Sequence, residues 1–384
     1  MKRTSPPGHD PQARRTWHVR LAEEWLLLTF AAVALALALL DPQPLANYRR
    51  WLHLPTLAGL LGLLIAIQGI RDSGLVQRAA AALAARMHSV RSLGLLLVTA
   101  AALLSMVLTN DVSLFLIVPL TMAIGGISNL PLPRMVVLEA LAVNAGSSLS
   151  PIGNPQNLLL WQHAHVPFFA FVAAMLPAAL VMLLLVAALT WLWLPQDRVG
   201  LDHAQIDRRE VSMTMALLSA TALSAMVAMM EHGHAELGAL MLSLPFALFA
   251  RRSLAGIDWL LLATFAAIFL GLGHFAELPP VRHALDHLDP GQPLTVYVGG
   301  IVASQLISNV PATVLLLERT PDAMALAVAV NVGGFGVATG SLANLIALRL
   351  ARQPGGLWRL QRVSIPFLLV CAPLVYLAWR WIGR

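Results

Sequence analysis

Seven long stretches of nearly uninterrupted apolar residues, at 25–40, 54–70, 167–195, 211–230, 235–250, 256–274 and 363–379, constrain this chain more than any other feature. A helix of about 20 apolar residues crosses the hydrocarbon core of a bilayer. No water is present in that core to pair backbone amides, so such stretches become helices. Composition agrees: 58% of the 384 residues are hydrophobic and 11% are charged, against about 25% charged in a soluble domain. An ordinary soluble enzyme and a disordered chain are both excluded. The expected fold class is all-α, a polytopic membrane protein with roughly ten to twelve membrane segments.

The basic residues set the orientation. Nearly all are Arg, placed singly or in pairs between apolar runs. No basic face interleaved with aromatics appears, so the net charge of +6 does not imply nucleic acid as a partner. Retention of Lys and Arg in cytoplasmic loops explains the excess. With the N-terminus inside, 25–40 crossing outward and 54–70 returning, 19 of the 25 Lys and Arg fall on the cytoplasmic side. Residues 1–24 then form a cytoplasmic tail and 196–210 a cytoplasmic link, in a multi-pass protein of the inner membrane. The Ala-rich segment 74–89 predicts an amphipathic helix at the lipid surface, with Ser73 able to cap it. The single cysteine, Cys371, has no partner for a disulfide within the chain and reads as a small buried hydrophobe.

Two further regions, 92–165 and 294–350, are apolar but interrupted, and they carry an internal repeat. The first contains Thr109-Asn110-Asp111, followed by the polar, Gly-bearing stretch from Asn144 to Asn157. The second contains Ser308-Asn309-Val310-Pro311, followed by a similar stretch from Asn331 to Asn344. An offset of 187 positions lays Asn144 on Asn331, Gly146 on Gly333, Gly153 on Gly340 and Asn157 on Asn344. The shorter motifs match as Thr109 with Ser308 and Asn110 with Asn309.

Such sequences at membrane depth predict broken helices. An unpaired amide in hydrocarbon costs several kcal/mol, so irregular backbone is tolerated only inside protein or beside a wet cavity. Glycine permits the unwound conformations, and Asn, Ser and Thr supply missing partners. Asn154 is placed to cap a helix whose first residue is Pro155, and Ser341 to cap its counterpart. Asn110 is placed to cap a helix over 112–126, and Asn309 one beginning near Val310 and Pro311. The N-terminal repeat, 25–195, is therefore expected to hold scaffold helices, a re-entrant hairpin at 92–126 and a broken helix at 133–165, interrupted near 145–153. The C-terminal repeat, 211–384, is expected to hold a hairpin at 294–319 and a broken helix at 322–352, interrupted near 333–340. The two repeats should be inverted relative to each other. Four helix N-termini, with free N–H groups and partial positive charge, would then meet near the midplane. This is the plan of a secondary transporter.

These motifs resemble the ion transporter superfamily, which includes arsenite pumps, sodium–proton antiporters of the NhaD type, citrate carriers and divalent-anion/sodium symporters. Thr109-Asn110-Asp111 looks like the hairpin-tip motif of the arsenite-pump branch. Residues Ser150 to Asn157 resemble the Thr-Pro-Ile-Gly-Asn-Pro-Gln-Asn signature, with Ser in place of Thr. Ser308 to Ala312 and Gly340 to Asn344 are similar to the second-half signatures. The resemblance covers roughly residues 54–380. It implies an elevator-type carrier, in which hairpins and broken helices slide against a scaffold, often in a homodimer. No clustered thiols recommend arsenite as substrate.

Asn110, Asn157, Asn309 and Asn344 are the leading substrate- or ion-binding candidates. Thr109, Asn144, Ser147, Ser148, Ser150, Asn154, Ser308, Asn331, Thr339 and Ser341 stand beside them, and Gly146, Gly153, Gly333 and Gly340 shape the backbone. The same polar side chains can serve only to tie down freed backbone groups. Asp111, a carboxylate deep in apolar sequence, is a candidate for proton coupling or Na+ ligation. Its charge would repel an anion unless Asp111 is protonated or cation-bound. Glu139 is a second proton-coupling candidate. No metal site beyond Na+ is expected. The run from Glu231 to Glu236 lies in a short outer loop, His283 and His287 lack a third ligand, and His163 and His165 fall at the outer interface. Neither hydrolase nor nucleotide-binding motifs occur, so an enzyme is not expected, and no cofactor other than Na+ or H+ as coupling ion. The expected function is secondary active transport of a small inorganic or organic anion or oxyanion, coupled to Na+ or H+. The alternative is a Na+/H+-type cation–proton antiporter.

Overall fold

The computed structural model describes residues 25–75, 78, 82, 87–126, 128–199, 211–286, 292–351 and 355–382. The tail, most of the surface helix expected over 74–89, most of the link and His287 lie outside the described residues. Among the described residues every regular element is a helix, apart from one isolated β-bridge between Ser89 and Arg198.

The first set of helices is α1 (Trp25–Leu40), α2 (Leu45–Trp51), α3 (Leu54–Asp72), α4 (Val90–Leu108), α5 (Asn110–Gly126), α6 (Leu132–Ser147), α7 (Pro155–Ala164) and α8 (Phe168–Trp193). Helix α9 (Met213–Glu231) follows. The second set is α10 (Ala235–Phe249), α11 (Arg251–Ala255), α12 (Trp259–Glu277), α13 (Pro279–Asp286), α14 (Pro293–Ile307), α15 (Asn309–Leu317), α16 (Ala323–Val332), α17 (Leu342–Ala351) and α18 (Gly356–Ile382). Helices α3, α4, α8, α9, α12 and α18 are long and apolar enough to cross a membrane.

Local chemistry sets the helix starts. Ser89 and Ser92 form a reciprocal capping box at α4. The Asp322 carboxylate accepts from the N–H groups of Met324 and Ala325 at 3.0 and 2.9 Å to open α16, and Asp258 does the same for α12 through Leu261 at 3.0 Å. Where α3 meets α9, small residues let the backbones close up. A Cβ on Gly69 would lie 2.1 Å from Ser219 Oγ.

The two sets interlock. Helix α1 packs on α12, and α10 on α3, so each set lends an outer helix to the other. The α4–α5 pair packs on α6, and the α14–α15 pair on α16. Across the divide, α5 touches α17 and α15 touches α7. Helix α9 joins the two sets and packs on α3 and α10.

Helix α4 has 19 residues, about 28 Å at the helical rise, which is enough to cross a bilayer. Its C-terminal end lies against the break in the neighbouring helix. Thr109 turns the chain, and the Asn110 N–H donates to the Gly153 carbonyl at 2.8 Å. Helices α4 and α5 thus form a helical hairpin whose tip touches the first break. Helix α5 begins at Asn110, two residues before the expected start.

Candidate functional site

The first break separates α6 from α7 over 148–154. The second separates α16 from α17 over 333–341 and includes a tight turn at Ala338–Gly340. Helix α6 is buried all round from Met135 to Ser147, and α16 from Ala325 to Val332. Both breaks therefore lie inside protein, where freed backbone groups must find protein partners.

Those partners are asparagines, and they pair across the repeats. Asn144 Nδ2 donates to Asn344 Oδ1 at 2.9 Å, and Asn331 Nδ2 donates to Asn157 Oδ1 at 2.6 Å. The return bonds match too. Ser341 Oγ donates to Asn144 Oδ1 at 2.9 Å, and Asn154 Nδ2 donates to Asn331 Oδ1 at 2.9 Å. The second layer repeats the pattern. Asn157 Nδ2 donates to the carbonyls of Ser147, Ser148 and Ser150 at 3.3, 3.1 and 3.0 Å. Asn344 Nδ2 donates to the Gly334 carbonyl at 3.0 Å, the counterpart of Ser147. The sequence offset thus becomes a pseudo-twofold hydrogen-bond network in which equivalent positions donate and accept, with a Ser341 hydroxyl where the first repeat has the Asn154 amide.

The hairpin tips close on this network. Thr109 has φ 72° and ψ 153°, and Ser308 has φ 77° and ψ 155°. Only glycine enters that region readily, so both tips hold strained backbone in the same shape. Just past them, Asn110 Oδ1 accepts the Asp111 N–H, and Asn309 Oδ1 accepts the Val310 N–H, each at 2.9 Å. A Cβ on Gly334 would lie 3.3 Å from Asn309 Nδ2 and 3.6 Å from Asn144 Oδ1. Neither Asn110 Nδ2 nor Asn309 Nδ2 donates to a protein acceptor among the described residues. The first turns of α7 and α17 supply Asn157 and Asn344 to the network, and those of α5 and α15 abut the two breaks.

Gly146 and Gly333 let each hairpin approach. A Cβ on Gly146 would lie 2.1 Å from the Ala102 carbonyl oxygen and 2.5 Å from Ser105 Oγ. On Gly333 it would lie 2.5 Å from Ser304 Cβ. Ser105 and Ser304 each return their hydroxyl to their own helix, at 2.8 and 2.7 Å.

Several expected roles shift. Asn154 caps α7 as predicted, its Oδ1 accepting the Asn157 N–H at 2.9 Å. Ser341 does not cap through its side chain; its hydroxyl bonds Asn144 in the other repeat. Asn110 and Asn309 accept the very next N–H rather than one deeper in the turn. Ser148 bonds its own helix at the Ala145 carbonyl, and Ser150 bonds the Met106 carbonyl, so both anchor backbone. Thr339 is exposed on the tight turn, outside the network. Gln305 had no place among the expected residues, yet it stitches the second break together. Its Nε2 donates to Gly333 and Phe335 carbonyls at 2.6 and 3.0 Å, and its Oε1 accepts the Val337 N–H at 2.9 Å. A lone Gln in apolar α14, three residues before the tip, was the available signal.

The carboxylates break the symmetry. Asp111 and Glu139 are buried in the first repeat, where the second has Val310 and Leu326. Asp111 Oδ1, Glu139 Oε2 and Gln156 Oε1 are buried acceptors without a partner among the described residues. Thr121 Oγ1 donates to the other Glu139 oxygen. No Lys or Arg is among the buried residues described. Among the described residues, no group of three or more His, Cys, Asp or Glu is arranged to hold a metal ion.

Two buried helix breaks tied together across the repeats, each with a hairpin tip against it, belong with a polytopic membrane transporter. Comparison with known proteins sharpens this. The citrate transporter (CitMHS) family model matches residues 19–322, and the chain belongs to that family. The inner membrane protein YbiR of Escherichia coli (strain K12) is 38% identical over 325 residues, covering 84% of this chain and 86% of that protein. An uncharacterized transporter of Methanocaldococcus jannaschii is 26% identical over 336 residues, covering 86% and 90%. The crystal structure of the Alcanivorax borkumensis YdaH transporter aligns over 94% of this chain and 98% of that one, with TM-score 0.48 and 16% identity.

Proposed function

We propose that this chain is a secondary active transporter that moves a small anion or oxyanion across the inner membrane, coupled to Na+ or H+, by elevator-like alternating access. The observation that carries this reading is the pair of undonated amide nitrogens, on Asn110 and Asn309, beside a network that both repeats build. Amide N–H groups and helix N-termini suit an anionic oxygen. Among the described residues the buried centre offers no Lys or Arg to balance a charge. The anion therefore enters protonated or together with a cation. Unpartnered acceptors on Asp111 and Gln156 mark the first-repeat side as the place for that cation or proton. The hairpins and broken helices form the moving unit, and α1, α3, α10 and α12 the scaffold.

Asp111 also favours a second reading, a Na+/H+-type antiporter, because one buried carboxylate can hold a proton or Na+ in turn. Proteoliposomes separate the two. Uptake of citrate, smaller carboxylates or inorganic oxyanions driven by a Na+ or proton gradient supports the first. Na+-driven proton movement with no anion uptake supports the second.

A further inference from the structure

We propose that a second binding site, remote from the asparagine network, holds the phosphate headgroup of an anionic phospholipid between α8 and α18. A cavity of about 490 Å³ there is lined by Trp193, Trp358, Arg359 and Arg362, among others.

Four arginines gather at this end of the helices, and they divide into two kinds. Arg91 Nε donates to the Leu194 carbonyl at 3.0 Å, and its guanidinium lies 4.9 Å from the centre of the Trp191 ring. Arg134 donates to the Trp193 carbonyl at 2.7 Å and lies 5.7 Å from the centre of the Trp193 ring. Both are occupied by the protein. Arg359 and Arg362, one helical turn apart on α18, line the cavity, and their guanidiniums have no ion pair or hydrogen bond among the described residues. Two guanidiniums on one face present forked donors that match the oxygens of a phosphodiester.

The surroundings select a lipid over a dissolved anion. Trp358 is 69% exposed and the adjacent Leu357 46%, an apolar wall beside the cations. Trp residues seat at the headgroup level of a bilayer, and basic pockets between helices on the cytoplasmic side receive acidic headgroups. The orientation that keeps most arginines inside puts this cavity at the cytoplasmic leaflet. The site stands on its own residues and not on the identity of the transported solute.

The test uses the full chain purified in neutral detergent. Its thermal unfolding is followed with added phosphatidylglycerol, phosphatidylcholine or inorganic phosphate, in wild type and in the Arg359→Gln/Arg362→Gln variant. Saturating phosphatidylglycerol should raise the wild-type midpoint by about 3 °C or more, with no rise from the other two additions and none in the variant. Native mass spectrometry of the wild type should show phosphatidylglycerol retained over phosphatidylcholine, and this readout decides the matter if the variant fails to fold. An equal rise in wild type and variant, a rise with inorganic phosphate alone, or equal retention of the two lipids would each overturn the proposal.

Discussion

Asn144 and Asn344 stand 200 positions apart in the chain and share one buried hydrogen bond, Asn144 Nδ2 donating to Asn344 Oδ1 at 2.9 Å. The symmetric partner of that bond joins Asn331 to Asn157. Each break is therefore closed by the opposite repeat. Asn144→Ala leaves the Ser341 hydroxyl and the Asn344 carbonyl oxygen without their partner, and should destabilise by about 1–3 kcal/mol. Asn331→Ala, the equivalent change, should cost a similar amount. Thermal unfolding in detergent measures both, and a large effect at one position with none at the other would contradict the pseudo-twofold network.

The hairpin tips predict an unusual gain. Thr109 and Ser308 hold positive-φ conformations that suit glycine, at a strain of about 1–3 kcal/mol each. Thr109→Gly and Ser308→Gly should therefore raise the unfolding midpoint, while Thr109→Ala, which keeps the strain, should not. A fall in midpoint for both glycine variants would show that the tips are not strained.

Glycine contacts separate backbone from side-chain crowding. Gly146→Ala would press on the Ala102 carbonyl oxygen, which belongs to the backbone, while Gly333→Ala would press chiefly on the Ser304 side chain. Each should destabilise by about 1–3 kcal/mol. Adding Ser304→Gly should recover most of the Gly333→Ala loss, while Ser105→Gly should leave most of the Gly146→Ala loss in place. The comparison reads out in unfolding midpoints of the two single and two double variants.

How much of this was legible in the sequence follows from what each signal encodes. Apolar runs, Asn154 with Pro155, and the spacing of Asn and Gly gave the spans, the breaks and the equivalence of the repeats. Equivalence is not contact, so alignment of Asn144 with Asn331 said nothing of Asn144 bonding Asn344. The tips carry Thr and Ser where their backbone calls for glycine, so no composition cue marked the strain. Gln305 has no counterpart in the first repeat, where Met106 aligns with it, and was invisible to the search for repeated positions. Thr339 lies on the right stretch, exposed on the tight turn at Ala338–Gly340 and without a side-chain hydrogen bond into the network among the described residues.

A pH effect on stability should arise at the start of α3. His53 has left-handed backbone, φ 46°. Burial holds its pKa below the ordinary histidine value; His163 and Arg50 act in the same direction, and Glu318 opposes them. The unfolded chain then takes up the proton more readily than the folded one. The contribution is present above the ordinary histidine pKa and is lost as pH falls through and below it. The unfolding midpoint should drop between pH 7.5 and 5.5, and His53→Asn, which tolerates the same backbone, should flatten that dependence. An unchanged slope in the variant would assign the effect elsewhere.

Asp111 is the coupling candidate nearest a hairpin tip, with Val310 at the matching position of the second repeat. In proteoliposomes, Asp111→Asn should lower gradient-driven accumulation by about tenfold or more while leaving solute exchange across the membrane largely intact. Equal loss of both would make Asp111 a structural residue, and no loss of either would remove it from the mechanism.

The most direct measurement is solute uptake by reconstituted wild type beside Asn110→Ala and Asn309→Ala, whose amide nitrogens donate to no protein acceptor among the described residues. Saturable, gradient-driven uptake in wild type, with loss in both folded variants despite their lying in different repeats, is the predicted result. Wild-type uptake in either variant would contradict a transport site shared by the two hairpin tips.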